Sequence, residues 1–197
     1  RMPLSPIGIA RSFRPLLAVG SFRANTAIVC LTYSGLFCYI SGSSFVLQGV
    51  YGFSPVAFGV AFGAGAAAYV AGTLIGQATT PRIGLEGSYR IGAGLLALSA
   101  LGLVVGQLAG PGHGLEFVLP QLLYFVGVGL ALPAAMASAL TPFPGRSGAA
   151  SSLMGFLQMT TAALLGGLLG AVLGDTAWPT VLFIAGCGLG VFVLFAT

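Results

Sequence analysis

Two uncharged runs joined by a short connection constrain the fold of this chain more than any other feature. The first covers residues 127–140 and the second starts at Gly148, and the connection PFPGRSG between them carries a single charge, Arg146. A proline removes a backbone donor and disfavours helix in the residue before it, so the first helix must end near Pro142. The pattern predicts a helical hairpin in a membrane, with its turn in water on the cytoplasmic side.

The rest of the chain has the same apolar character. Of its 197 residues 57% are hydrophobic and 5% charged, with a mean hydropathy of +1.03, whereas a soluble domain carries about 25% charged residues. We therefore expect an all-α membrane protein in contact with membrane lipid. Glycines four residues apart favour close helix packing in membranes, although chance also produces such pairs at this glycine content. They occur at Gly59/Gly63, Gly72/Gly76, Gly102/Gly106, Gly166/Gly170/Gly174 and Gly186/Gly190.

Six transmembrane helices are predicted from the spacing of the apolar runs. They cover residues 24–47, 56–77, 91–108, 117–140, 147–173 and 179–196. Each supplies close to the roughly 20 apolar residues that cross a bilayer core. All seven basic residues are arginines, and all fall on one side of this arrangement, which marks that side as cytoplasmic. Both termini are then cytoplasmic, and we expect a multi-pass membrane protein.

The ends of the chain and two of the spans carry further expectations. Residues 1–24 are basic and contain prolines, so they are interpreted as a cytoplasmic linker ahead of a helical bundle at 25–197. The start at Arg1 and the absence of a soluble tail after the last span suggest a piece of a longer protein. The span 91–108 is expected to face lipid over most of its surface. Pro133 is expected to kink the helix that contains it.

Other classes of protein fit the residues poorly. Nucleic-acid binding needs basic side chains clustered on one face, whereas these arginines are spread over loops. The three cysteines lie in apolar segments and are interpreted as small buried side chains, not as a disulfide framework or a metal site. A channel would show a repeated filter or a charged ring, and neither is visible. No nucleic acid, metal or organic cofactor is expected.

An intramembrane protease is the enzyme that the motifs allow. The sequence Gly145-Arg146-Ser147-Gly148 matches the GxSG of rhomboid-type proteases. A serine and histidine that act together need hydrogen-bond contact. The predicted topology puts Ser147 at the inner surface and His113, the single histidine, at the outer one. We therefore expect no enzyme activity.

Two segments resemble a family of transporters. Residues 139–144 (ALTPFP) with 148–158 (GAASSLMGFLQ), and residues 35–48 (GLFCYISGSSFVLQ), are similar to the helix 10–11 connection and to helix 7 of the Bcr/CflA-type drug:proton antiporters. These are the bicyclomycin and chloramphenicol resistance branch of the major facilitator superfamily. With the six-span layout, the resemblance covers nearly the whole chain as the C-terminal half of such a transporter.

The resemblance implies a function and a set of moving parts. It implies multidrug efflux by drug:proton antiport through alternating access, with a proton as coupling ion and an N-terminal six-helix half as partner. The loop at residues 76–90 keeps Arg82, Gly84 and Arg90 of the superfamily's loop signature but lacks its aspartate. We expect these three residues, with Pro133 and Arg146, to take part in gating. Transport of another small solute, or a purely structural membrane role, stays open.

Departures from the family pattern and the positions of the acids limit what this half can do. Ser44 stands where a proline is expected, and Ala134 where an asparagine is usual. The acids Glu86, Glu116 and Asp175 fall in loops or at helix ends. A proton relay needs an ionisable group inside the membrane. We therefore expect the other half to carry it.

Polar and aromatic side chains inside the spans are the candidates for contact with a small amphipathic drug. Rings and thioethers fit varied apolar ligands without strict geometry. For each residue taken singly, ordinary packing between helices is an equally good interpretation. Tyr33 and Gln158 are the strongest, because their polar ends need a partner in the membrane. The predicted substrate-binding residues are Tyr33, Phe37, Tyr39, Ser41, Tyr124, Met154 and Gln158.

Overall fold

The computed structural model describes residues 13–110 and 112–196, and within them the chain is helical with no strand. Five long helices follow one another: α1 Gly20–Ser44, α2 Pro55–Leu108, α3 Leu115–Leu140, α4 Ser147–Val172 and α5 Trp178–Ala196. Each is long and apolar enough to cross a membrane. The prediction of an all-α membrane protein is confirmed, whereas the structure has five long helices where six were predicted.

Helix α1, taken together with the wider π-helical segment Phe45–Val50 that continues it, extends beyond both predicted ends. It starts at Gly20, and at the end of the π-helical segment the Tyr51 N–H donates to the Val46 carbonyl at 3.0 Å. The predicted turn at residues 48–55 is therefore shortened to 51–54. Hydropathy locates the part of a helix that lies in lipid, whereas a helix continues until its backbone bonds end. Pro55 begins α2, one residue before the predicted span, and Ser54 Oγ caps it by accepting from the Ala57 N–H at 3.2 Å.

Helix α2 contains two predicted spans, and the loop predicted between them at residues 79–90 is wrong. These residues are helical except at Gly84, where the backbone leaves the helix at φ 76° and ψ 172°. Such a conformation is open to glycine almost alone. We call residues 55–83 the first arm and 85–108 the second arm. Thr80 Oγ1 and Ser88 Oγ lie 2.6 Å apart across the bend.

The two arms run in opposite directions along α3. In the first arm, Gly72 lies against Val126 and Gly76 against Leu130, so both chains advance together. In the second arm, Gly92 lies against Ala131, whereas Gly106, further along, lies against Glu116. The direction has therefore reversed at Gly84.

Glycine packing is confirmed at some predicted positions and wrong at others. A Cβ on Gly72 would collide with the Val126 carbonyl, and one on Gly106 would lie 2.7 Å from the Glu116 carbonyl oxygen. Backbones approach this closely only where a side chain is absent. Five other glycines of the predicted pairs have no such neighbour within 4 Å: Gly59, Gly63, Gly170, Gly174 and Gly186.

The expectation that residues 91–108 mostly face lipid is wrong. Leu96, Ala100 and Leu103 are buried. A Cβ on Gly188 of α5 would lie 2.9 Å from the Leu96 carbonyl oxygen, and Ser99 Oγ donates to the Pro120 carbonyl of α3 at 2.7 Å. The second arm is sandwiched between α3 and α5, because its small residues form a face that both helices can approach.

Contacts between helices show which charged residues lie at which end of the bundle. At one end Phe22 packs edge-on against Phe143 at 5.5 Å, and the Arg90 guanidinium lies over the Phe195 ring at 5.9 Å. The start of α1 therefore meets the α3–α4 connection, and the second arm just after the bend meets the end of α5. Thr80 at the bend and Pro133 in the last part of α3 line one cavity, so all these parts lie at the same end. Arg23, Arg82, Arg90 and Arg146 belong to this basic end. The predicted positions Arg1 and Arg11 lie outside the described residues.

The opposite end holds the short 51–54 turn and the start of α3. The Tyr51 hydroxyl donates to Gln107 Oε1 at 3.3 Å, and Glu116 Oε1 accepts from the Gly112 N–H at 2.6 Å. Burial, and after it the Glu116 carboxylate, raise the pKa of Tyr51. Acidic Glu116 thus lies at the end away from the arginines.

Candidate substrate-facing surface

One face of α1 carries polar and aromatic side chains that the bundle leaves uncovered. Its residues are spaced three or four apart, so they share a face of the helix. Their side chains are exposed or half-buried, whereas neighbours such as Ser34, Cys38 and Ser43 are buried. Polar groups in a membrane helix need protein or a water-filled cavity beside them, not lipid. We call this face the α1 stripe, and it consists of Tyr33, Phe37, Ser41, Ser44 and Gln48.

Helix α4 borders the α1 stripe on one side. A Cβ on Gly166 would lie 2.8 Å from Phe37 Cε1 and 3.5 Å from Ser41 Oγ. The absence of a side chain at Gly166 thus lets α4 press against the edge of the stripe. At the outer part of the stripe, Gln48 Nε2 donates to Ser44 Oγ at 2.8 Å. This bond holds two polar groups together on the uncovered face.

An aromatic cluster behind the stripe joins α1 to the first arm of α2 and to α3. The Tyr39 ring meets Phe125 edge-on at 5.0 Å and stacks on Phe62 at 6.0 Å and on Phe117 at 6.2 Å. Aromatic pairs at such distances add about 0.5–1.5 kcal/mol to the gain from burial. Tyr39 is buried at the centre of this cluster. Its ring fixes the position of α1 relative to the other two helices.

A small apolar cavity opens beside the α1 stripe. Its volume is about 180 Å³, and its lining comes from α1, the first arm of α2 and α3. Whole drug-sized ligands fill roughly 300–1,000 Å³, so this cavity has room for one ring or branched group of a ligand. It is lined by Leu36, Ile40, Phe62, Ala66, Tyr69 and Phe125.

The structure separates the predicted substrate-binding residues into two groups. Tyr33, Phe37 and Ser41 lie on the α1 stripe, where a ligand can reach them. The other four, Tyr39, Tyr124, Met154 and Gln158, are buried between helices. Contact with a ligand therefore requires movement of helices for the second group. The roles of all seven stay predictions.

Tyr124 shows what burial does to such a candidate. Its ring lies between α1 and α5, with Cζ 2.7 Å from the Cβ position of Gly35 and Cε2 3.4 Å from that of Gly188. Among the described residues its hydroxyl has no hydrogen-bond partner. The glycines make room for a large ring, so packing accounts for its position. The unpaired hydroxyl is the part that packing leaves unexplained.

The residues predicted to take part in gating gather at the basic end. Gly84 forms the bend, Arg82 is exposed beside it, and Arg146 precedes the first residue of α4. Pro133 lines a cavity of about 230 Å³ next to the bend, although α3 stays one helix from Leu115 to Leu140. Arg90 instead packs on Phe195. Their part in gating stays a prediction.

Sequence reasoning missed four residues of this surface. Ser44 and Gln48 continue the helical spacing from Tyr33, and extending that spacing by two turns would have found them. Phe62 and Tyr69 lie on another helix and reach the cavity only through the packing of the first arm against α1. No local pattern in the sequence announces such a contact.

The structure does not bring together the residues of the alternative protease site. His113 lies just before the start of α3, and Ser147 lies beyond its end. A helix of 26 residues separates its ends by about 39 Å. The pair is far outside hydrogen-bond contact.

The arrangement defines a multi-pass helical membrane protein with an uncovered polar and aromatic face. No family model matches the chain. It is 27% identical to the bicyclomycin resistance protein homolog of Haemophilus influenzae. The match extends over 188 residues, which are 95% of this chain and 47% of the relative. It is also 28% identical to the uncharacterized MFS-type transporter YdgK of Bacillus subtilis. That match extends over 170 residues, which are 86% of this chain and 42% of the relative. The chain thus spans about half the length of these curated relatives.

These comparisons agree with the family predicted from the helical hairpin and the first span. The predicted resemblance to the major facilitator superfamily, and to bicyclomycin resistance proteins within it, is confirmed. The half-length match is consistent with similarity to the C-terminal half of such transporters. The relatives are transporters, a class distinct from enzymes.

Proposed function

We propose that this chain forms the C-terminal half of a secondary transporter that exports small amphipathic drugs in exchange for protons. The α1 stripe is the observation that carries the proposal. A membrane helix with Tyr33, Ser41 and Gln48 uncovered needs a second surface opposite it. The chain matches about half of a bicyclomycin resistance protein homolog. This supports the proposal that a six-helix partner half provides the opposite surface.

Six membrane crossings follow if each arm of α2 spans the bilayer. The first arm has 29 residues and the second 24, and both exceed the roughly 20 that a bilayer core requires. Their opposite directions along α3 support two crossings. The basic end is then cytoplasmic by the distribution of arginine. In this proposal the protein lies in the bacterial inner membrane, and both of its termini are on the cytoplasmic side.

Transport would proceed by alternating access. The two halves rock around a midplane site formed between them, and the α1 stripe supplies this half's share of that site. The small cavity beside Phe62 and Tyr69 takes an apolar ring of the drug. The stripe carries hydroxyl, amide and aromatic groups but no carboxylate. The proton-coupling acid is therefore assigned to the partner half.

Co-expression tests the proposal. This chain and the N-terminal half of the Haemophilus influenzae relative are produced together in an efflux-deficient bacterium, and drug accumulation is measured with and without a protonophore. We expect lower accumulation than with either half alone, and loss of the difference with the protonophore. Drug export would be contradicted if both halves are present in the membrane and accumulation does not fall for any drug in a panel. Efflux of non-drug solutes only would favour another transporter of the superfamily.

A further inference from the structure

A second groove runs along α1, with α4 beside both of its parts and α5 beside the part that follows Leu31. It consists of two cavities of about 430 Å³ and 380 Å³ that share Leu31. Helices α4 and α5 each pack on α1 and make few contacts with one another, which leaves the space open. The α1 stripe takes no part in its lining. The apolar part of the lining is Leu17, Ala27, Leu31, Leu157, Leu165, Leu182 and Phe183.

Polar groups occur at one end of this groove. Arg23 lines it from the first turns of α1 and is exposed, at the basic end of the bundle. Thr26 also lines it and is 4% exposed, and its Oγ1 has no hydrogen-bond partner among the described residues. Thr161, by contrast, donates to the Leu157 carbonyl at 2.8 Å. Because the Thr26 hydroxyl is enclosed by the protein, the exposed Arg23 is the polar group that a ligand in this part of the groove can reach.

We propose that this groove binds one anionic phospholipid. Its phosphate lies at Arg23, and one acyl chain follows the groove past Leu31 toward Leu182. Along α1, Arg23 and Leu31 are about 12 Å apart, close to the roughly 15 Å depth of one leaflet's hydrocarbon. Anionic lipids concentrate in the cytoplasmic leaflet, where they attract basic residues. The proposal depends on the cytoplasmic placement of the basic end and is independent of drug transport.

Lipid retention by the full chain tests this binding. The purified protein in detergent is mixed with phosphatidylglycerol or phosphatidylcholine, and bound lipid is counted by native mass spectrometry. We expect one phosphatidylglycerol to be retained in preference to phosphatidylcholine. Arg23→Gln should weaken that retention about fivefold, in line with one basic contact, and Arg23→Lys should restore most of it. Arg82→Gln, at an exposed arginine of the same end but outside the groove, should leave it unchanged.

A photoreactive acyl chain locates the lipid. Phosphatidylglycerol with a diazirine on its chain should crosslink to residues 27–31 and 157–165, and Leu157→Trp, which fills the groove, should abolish those crosslinks. Equal retention of both lipids, no effect of Arg23→Gln, or crosslinks spread over all helices would overturn the proposal. A deletion of residues 1–12 that raises lipid retention severalfold would also overturn it, because the chain's own N-terminal segment would then occupy the groove.

Discussion

Thr80 Oγ1 and Ser88 Oγ lie 2.6 Å apart across the bend of α2 at Gly84. Eight residues separate them, which would place them about 12 Å apart along a straight helix. Ser88 is fully buried and Thr80 also donates to the Gly76 carbonyl at 2.6 Å. The two hydroxyls therefore tie the arms together where the chain reverses.

Replacement of Gly84 by alanine should destabilise the bundle. Gly84 adopts φ 76° and ψ 172°, a conformation that costs other residues about 1–3 kcal/mol. We expect Gly84→Ala to lower the midpoint of thermal unfolding in detergent. Gly63→Ala is the matched control, because Gly63 is helical and has no neighbouring atom within 4 Å of its Cβ position. An equal midpoint for the two variants would contradict the strained bend.

A larger side chain at Gly72 should disturb the contact between the first arm and α3. Its Cβ position lies against the Val126 carbonyl, and overpacking of this kind costs about 1–3 kcal/mol. Gly72→Val should therefore lower thermal stability. Gly59→Val, an uncrowded glycine of the same arm, should lower it less. If both changes cost the same, helix propensity alone explains the loss and the close contact is wrong.

The α1 stripe should determine which drugs are exported. Tyr33→Phe removes one hydroxyl from the stripe, and a lost hydrogen bond of about 0.5–1.5 kcal/mol corresponds to a roughly two- to twelvefold change in affinity. We expect altered efflux for drugs with polar groups, measured in the co-expressed transporter at matched protein level. Leu98→Ala, at an exposed leucine of the second arm, should leave the drug profile intact. An unchanged profile for Tyr33→Phe would remove Tyr33 from the site.

The effect expected at Gln158 depends on helix movement, because this residue is buried. Only 6% of it is exposed in α4, so a ligand reaches it after movement of α1 or α4. Gln158→Ala should change the drug profile if that movement belongs to transport, whereas Met159→Ala at the exposed neighbour should not. A fall in stability without a change in profile would make Gln158 a packing residue.

The orientation of the bundle can be tested by labelling. In a variant without Cys30, Cys38 and Cys187, single cysteines replace Arg146 or Asp175. A membrane-impermeant thiol reagent should label Asp175→Cys on intact cells and Arg146→Cys only after the cells are opened. Reaction of Arg146→Cys from outside would reverse the proposed topology.

The sequence alone was enough to establish the class of protein and the positions of most helices. Charged residues are too rare for a soluble surface. The prolines at 55, 142 and 144 lie at helix ends or between helices, where the missing backbone donor costs least, whereas Pro81, Pro120 and Pro133 lie inside helices. The family resemblance was also readable, since the segments that carry it are continuous in the chain. Three residues of the α1 stripe, Tyr33, Phe37 and Ser41, were among the predicted candidates, because they are polar or aromatic residues inside an apolar span.

Only the tertiary structure decided how helices meet. Gly84 turns a predicted loop into a bend between two arms, since a single residue outside the helical region suffices to reverse the chain. Packing also buried Tyr39 and Tyr124 while it left Ser44 and Gln48 uncovered. All four are polar residues in apolar helices and look alike in sequence. Burial depends on which helix approaches each face, and that is set by small residues on neighbouring helices far away in the chain.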